Sequence, residues 1–219
     1  MLIFFDTEFT DLHWQARLIS IGLIAEDGRT FYAELSDTYQ VTDCGDFARE
    51  VVLPLLDGGE SRMPLPTLSL RLGNWIEGFE QPVTLATDSL AWDWPWIQKF
   101  FEEPGTWPVN LAGQPLLLNM NYLADYDKFD AAIAKAFADG LRRHHSLDDA
   151  KANRLGWIEA GGDIEMSARG IAVAESVPDA GVAAEQKLSE TDWWKRVCAN
   201  ANRMAVDEEY RKLIAKDLS

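Results

Sequence analysis

The chain opens on an apolar run, Leu2-Ile3-Phe4-Phe5, that leads straight into Asp6-Thr7-Glu8. Aliphatic and aromatic residues in succession read as a buried strand. Strand side chains alternate between faces, so Asp6 and Glu8 share one face at its end. Residues 17–26 read as a second buried strand, Asp27-Gly28 as a hairpin turn, and 30–35 as a third strand. Helical periodicity covers 45–56 and 65–79, with a Gly/Pro-rich loop from Asp57 to Pro66 between them. Residues 82–87 then predict a strand and 93–101 a helix, 115–118 a short strand, and 127–141 and 146–158 two further helices.

This order predicts an α/β fold with a mixed β-sheet flanked by helices: three antiparallel strands, then strands alternating with helices. Beyond Trp157 the pattern weakens. Residues 160–186 are rich in Gly, Ala and Val with little periodicity and read as a loose connection. Ser189-Glu190-Thr191-Asp192 has the form of a helix start, and 190–217 predicts one or two charged helices that include Trp193-Trp194. The expected division is therefore a domain over 1–158, followed by a linker and helical C-terminal extension over 159–219. The extension reads as a packed appendage, with a dimer contact or a protein-binding element as the alternatives. The sequence has no internal repeat.

At 219 residues and 47% hydrophobic, the chain can bury one substantial core. No stretch has the length of a membrane span. The opening apolar run lacks a basic flank and a small-residue cleavage site, so a signal peptide is not expected. Cys44 and Cys198 have neither disulfide-framework nor zinc-ligand spacing, which fits a reducing cytoplasm. The net charge of −16 changes the picture more. Phosphate-gripping surfaces are basic, so this acidity argues against a long duplex-binding groove. It leaves room for chemistry on a short strand end, where bound metal ions supply local positive charge.

Two adjacent carboxylates repel and are costly to bury, and a hard divalent cation resolves that conflict. Further acids complete the pattern: Asp93 follows the strand at 82–87, and Asp149 lies in His144-His145-Ser146-Leu147-Asp148-Asp149. Four acids and a histidine from strand and helix ends suit a two-metal phosphodiesterase, in which a histidine takes the proton from a metal-bound water.

The order Asp-x-Glu, then aromatic-Asp, then His-x4-Asp resembles the DEDDh group of 3′–5′ exonucleases, which includes ribonuclease T, oligoribonuclease and the proofreading subunits of DNA polymerases. Its short stand-alone bacterial exoribonucleases are the most similar branch, through the Asp-Gly hairpin, the Trp-rich second motif and the His-x-x-Leu-x-Asp-Ala third motif. The resemblance spans residues 1–158 and implies a ribonuclease H-like fold, two Mg²⁺ or Mn²⁺ ions held by Asp6, Glu8, Asp93 and Asp149, and His144 as general base. It also implies that Phe9, Thr10 and Leu12 line the pocket for the terminal nucleotide. Trp14, Trp92 and Trp94 are further candidates for base contacts, and Arg142 and Arg143 for phosphates. A homodimer is the expectation for proteins of this kind.

The chain departs from the family pattern in two places. Phe9-Thr10 stands where Thr-Thr or Thr-Ser is usual. Asp88-Ser89 replaces a His-Asn pair, which makes Asp88 a rival to Asp93, as His145 is to His144. Each residue also has a plainer reading: Asp93 as a helix N-cap, the tryptophans as packing, and Arg142-Arg143 as a charge pair at a helix end. The function expected is trimming of single-stranded RNA or 3′ overhangs from the 3′ end. The alternatives are a 3′–5′ exodeoxyribonuclease and a non-catalytic, partner-binding scaffold.

Overall fold

The structure, a computed structural model, describes residues 1–13, 15–118, 123 and 125–162. Trp14 and the helices expected within 190–217 lie outside the described residues. β1 (Leu2–Phe9) pairs antiparallel with β2 (Leu18–Ala25), and β2 pairs antiparallel with β3 (Thr30–Leu35). The turn between β2 and β3 falls at Asp27-Gly28, where Gly28 takes a φ of 89° and donates its N–H to Ala25 O at 2.9 Å. All eight residues of β2 are buried, as its unbroken apolar run requires.

On the other side of β1, β5 (Thr84–Thr87) and β6 (Leu116–Leu117) add in parallel. With β4 (Arg62–Met63) beside β3, the described residues form a six-stranded sheet in the order β4-β3-β2-β1-β5-β6. The mixed sheet with helices on it is consistent with a ribonuclease H-like fold.

Residues α3 (Tyr126–Ala138) and α4 (Ser146–Glu159) contribute, notably Phe129 and Trp157, pack with Leu2, Phe4, Ile24, Ala86 and Leu116 of the sheet. Helix α1 (Leu65–Glu77) lies against the opposite face, where its Trp75 meets Phe31 of β3, and α2 (Leu90–Phe100) joins it there. Two glycines set how close α4 can come. A Cβ on Gly22 of β2 would stand 2.1 Å from the Leu147 nitrogen, so the start of α4 rests directly on the β2 backbone. At Gly156 a Cβ would meet the Phe129 ring at 2.7 Å, which seats α3 against α4.

Three elements differ from expectation. The helix expected at 45–56 is a π-helical turn at Ala48–Val52 followed by a 3₁₀ turn at Leu53–Leu55. Pro54 lacks the N–H needed to continue an α-helix there. Strand β4 (Arg62–Met63) pairs parallel with β3 inside the segment expected to be loop, and two residues are too few to show a period. Helix α2 starts at Leu90, ahead of the expected Asp93, with Ser89 as its cap residue. Asp93 thus lies within the first turn, its N–H donating to Ser89 O at 3.0 Å, and is not an N-cap. Among the described residues, no helix is long and apolar enough to cross a membrane.

Candidate active site

β1 runs on past its neighbour. It pairs with β5 only through Leu2, Ile3 and Phe4, so Asp6 and Glu8 project beyond the last bridged pair. The first turn of α2 brings Asp93 to this place, and the first turn of α4, seated on Gly22, brings Asp149. His144 comes from the turn just before α4, with its backbone in the left-handed region at φ 67°.

The result is one cleft with a cavity of about 440 Å³. Asp6, Glu8, Asp93, His144 and Asp149 all line it, as do Phe9, Thr10 and Leu12. Their polar atoms form two groups. Glu8, His144 and Asp149 offer ligand atoms within 4.8 Å of one another, and Asp6, Asp88 and Asp93 do the same. The rivalry between Asp88 and Asp93 thus has an unforeseen form, since both stand beside Asp6. Of the two histidines, His144 lines the cleft, while the His145 side chain is wholly buried behind it.

Concentrating acids here shifts their proton affinities. Burial pushes the Asp6 carboxyl well above the ordinary range, and the charges of Asp93, Asp149 and Glu8 push it further. Glu8 is raised in the same way, by burial first and then by Asp149 and Asp93. Burial lifts Asp93 to about 7, although hydroxyl donors from Thr7 and Thr87 pull against it. Thr7 Oγ1 donates to Asp93 Oδ1 at 2.6 Å, and Thr87 Oγ1 donates to Oδ2. Asp149 rises to about 8 through burial and then the Asp88 charge, opposed by the His144 backbone N–H donating to it. Carboxylates held so close favour uptake of a proton or of a metal ion.

The donor set fits a hard divalent cation. Asp6 Oδ2 is buried and has no hydrogen-bond partner among the described residues, as expected of an oxygen set aside for an ion. Either group could hold a metal ion.

Around the acids, the pocket wall is partly apolar. Leu12 stands exposed at the mouth, and Phe9 stacks on Trp92 with ring centroids 5.5 Å apart. Trp94 is buried and packs edge-on against Trp107, as a core residue rather than a base platform. Thr10 is buried, its hydroxyl accepting the Arg17 N–H and its carbonyl the Gly45 N–H. Arg143 lines the cleft with its guanidinium over the Phe137 ring, whereas Arg142 is tied to Asp57 and Asp148.

The sequence gives little notice of several residues that line or support the cleft. Thr7 and Thr87, which orient Asp93, are ordinary strand residues by pattern. Asn153 reaches from α4 to donate to Asp88 Oδ1 at 3.0 Å. Phe47 packs edge-on against His144 from the irregular segment after β3. The one available signal for Asn153 was its place one helical turn after Asp149, on the same face.

No family model matches the chain. With a ribonuclease H-like sheet ending in two carboxylate groups and a histidine, it is similar to short bacterial exoribonucleases. Two curated relatives carry that likeness, both from strains of Mycobacterium tuberculosis and both named 3′–5′ exoribonuclease. Each is 36% identical to this chain over 97 residues, which is 44% of this chain and 54% of the relative. The chain thus spans about half the length of the curated relatives it matches.

Proposed function

We propose that the chain is a metal-dependent exoribonuclease that removes nucleotides one at a time from the 3′ end of single-stranded RNA or of 3′ overhangs. The observation that carries this reading is the pair of ligand groups at the end of β1, one of them containing a histidine. The relatives' name supports RNA as the substrate and the 3′ end as the starting point.

On this reading Asp6, Glu8, Asp93 and Asp149 hold two Mg²⁺ or Mn²⁺ ions. Such ions lower the pKa of a bound water and stabilise charge on a leaving oxygen. The chain's own residues do the rest. His144 accepts the proton of the water whose oxygen attacks the terminal phosphorus. The bond from phosphorus to the 3′ oxygen breaks and that oxygen takes a proton from solvent, so a nucleoside 5′-monophosphate departs and the strand is left with a new 3′ hydroxyl. Thr7 and Thr87 fix the Asp93 carboxylate through its two oxygens. Phe9, Thr10 and Leu12 receive the terminal nucleotide, and the Phe9–Trp92 stack stiffens that wall.

The test is degradation of 5′-labelled single-stranded RNA and DNA of one sequence, with Mn²⁺ or Mg²⁺, by wild type and by Asp6→Ala. A ladder shortening from the RNA 3′ end, absent in the variant and in chelator, is the expected result. Shortening of DNA alone makes the chain an exodeoxyribonuclease instead. Cleavage that persists in chelator overturns the metal-dependent reading, and no cleavage of either strand leaves the scaffold reading.

A further inference from the structure

Behind the cleft lies a second polar cluster to which the proposed chemistry gives no part. It is built around Arg142, two residues before His144, and His145, the residue after it. The His145 ring is wholly buried and stacks on Tyr32 with centroids 4.6 Å apart. Among the described residues neither ring nitrogen has a hydrogen bond; Asp57 Oδ1 lies at 3.7 Å and Asp148 Oδ2 at 3.9 Å. Arg142 joins the same two acids. Its Nε donates to Asp148 Oδ2 at 2.8 Å, and its Nη1 donates to Asp57 Oδ1 at 2.6 Å and to the Leu55 carbonyl at 3.1 Å.

This cluster clamps a strained point in the backbone. His144 has a φ of 67°, a conformation that side-chain-bearing residues rarely adopt and that surrounding structure must impose. The imposed contacts sit on both sides of it. Upstream, Arg142 is pinned to a turn far away in the sequence. Downstream, the His145 carbonyl accepts the N–H groups of Asp148 at 2.7 Å and Asp149 at 2.9 Å, which joins the bend to the helix start that carries Asp149. We propose that Arg142, bridging Asp57 and Asp148, is a positioning residue that holds the bend at His144 so that its imidazole faces the cleft. The guanidinium meets the two carboxylates and the carbonyl from two nitrogens held in one rigid plane, a spread that the single compact ammonium of a lysine does not reproduce. The same bonds explain why Arg142 is not available as a phosphate contact.

This inference rests on the reading of His144 as the proton acceptor, and a double-mutant cycle separates the two. Arg142→Gln and Arg142→Lys are measured alone and with His144→Ala, under single-turnover conditions with Mn²⁺ and 5′-labelled RNA. Mn²⁺ affinity and melting temperature are recorded alongside. A misplaced catalytic group costs on the order of 10²-fold in rate. Each Arg142 variant is therefore expected to slow the cleavage step roughly 10- to 100-fold. RNA and Mn²⁺ affinity should hold, and no further loss should appear once His144 is alanine.

An equal loss in the His144→Ala background overturns the proposal, because Arg142 would then act without His144. So does an unchanged cleavage rate, or a loss confined to RNA affinity. Should the Arg142 variants fail to fold, Asp57→Asn removes one partner of the guanidinium and runs the same cycle, with the same expected non-additivity. If His144→Ala alone leaves the rate unchanged, it is the proton-acceptor reading that fails, before any cycle is drawn.

Discussion

Two groups of ligand atoms flank the end of β1, and they are built differently. The Asp6–Asp88–Asp93 group consists of acids only, and Asp93 within it is 1% exposed with a threonine hydroxyl on each oxygen. The Glu8–His144–Asp149 group contains an imidazole, and all its members are half-buried. Its histidine stands on a strained bend, while Asp6 and Asp93 of the other group stand on a regular strand and the first turn of a helix. On the exonuclease reading the contrast has a chemical sense. An all-oxygen group with a fixed carboxylate can grip an ion rigidly. A group that includes a base must admit a water and give its proton somewhere to go.

The widest break in that comparison comes from Asp6, which stands in the all-acid group and borders the other. Asp6→Asn keeps the shape and removes the charge. Losing several kcal/mol of transition-state stabilisation corresponds to a rate loss of roughly 10³-fold or more. The expected outcome is no detectable trimming of labelled RNA, with weaker Mn²⁺ binding by calorimetry; a variant with normal turnover removes the basis for both groups. His144→Ala comes next. General-base contributions run about 10²- to 10⁴-fold, so the rate should fall within that range while Mn²⁺ affinity changes little. If His145→Ala alone proves the more damaging in the cleavage step, the two histidines have exchanged the roles given to them here.

A smaller effect sharpens the all-acid side. Asp93→Asn and Asp88→Asn each remove one charge beside Asp6, but Asp93 is buried and oriented by two threonines, whereas Asp88 is exposed and accepts from the Asn153 side chain. Asp93→Asn should therefore slow trimming at least about tenfold more than Asp88→Asn, which is roughly 1.4 kcal/mol in the barrier. The reverse order, measured under the same metal concentration, moves the ligand to Asp88.

Much of this arrangement could be read from the chain alone, and the reasons are physical. Asp6 and Glu8 declare themselves because a strand's period of two puts them on one face of a run that is otherwise apolar. Asp149 and His144 declare themselves through the spacing of the third motif. The β2–β3 hairpin was equally legible, since Asp-Gly fixes its turn. What the sequence does not carry is proximity across long separations. Nothing in its pattern says that Thr7 and Thr87 converge on Asp93, or that Arg142 reaches Leu55 and Asp57. The start of α2 was misplaced because Leu90-Ala91-Trp92 shows no period distinct from the strand before it. The segment at 45–56 has the apolar spacing of a helix, and Pro54 outweighs it locally.

Proton linkage gives the gentlest probe of the two groups and needs no substrate. Asp93 titrates near about 7 and Asp149 near about 8 in the folded chain, against an ordinary value of 3.8. Between about pH 4 and those values, the metal-free folded state holds more protons than the unfolded state, so its stability falls as pH rises. Asp148 acts in the opposite sense but outside this window. Burial alone would raise it, yet hydrogen bonds from Lys151 and Arg142 hold it at about 2, so its contribution is lost only in acid. A cation bound by the folded state alone adds stability by mass action and competes with the same protons. The melting temperature in chelator should therefore drop from about pH 5 to about pH 8, and Mn²⁺ should raise it more at the higher pH. Asp149→Asn and Asp93→Asn should each flatten the dependence, because each removes a carboxyl whose folded value lies above the unfolded one. An Mn²⁺ effect of equal size at both pH values would mean that the ion displaces no protons from these carboxylates, and neither group would then be its site.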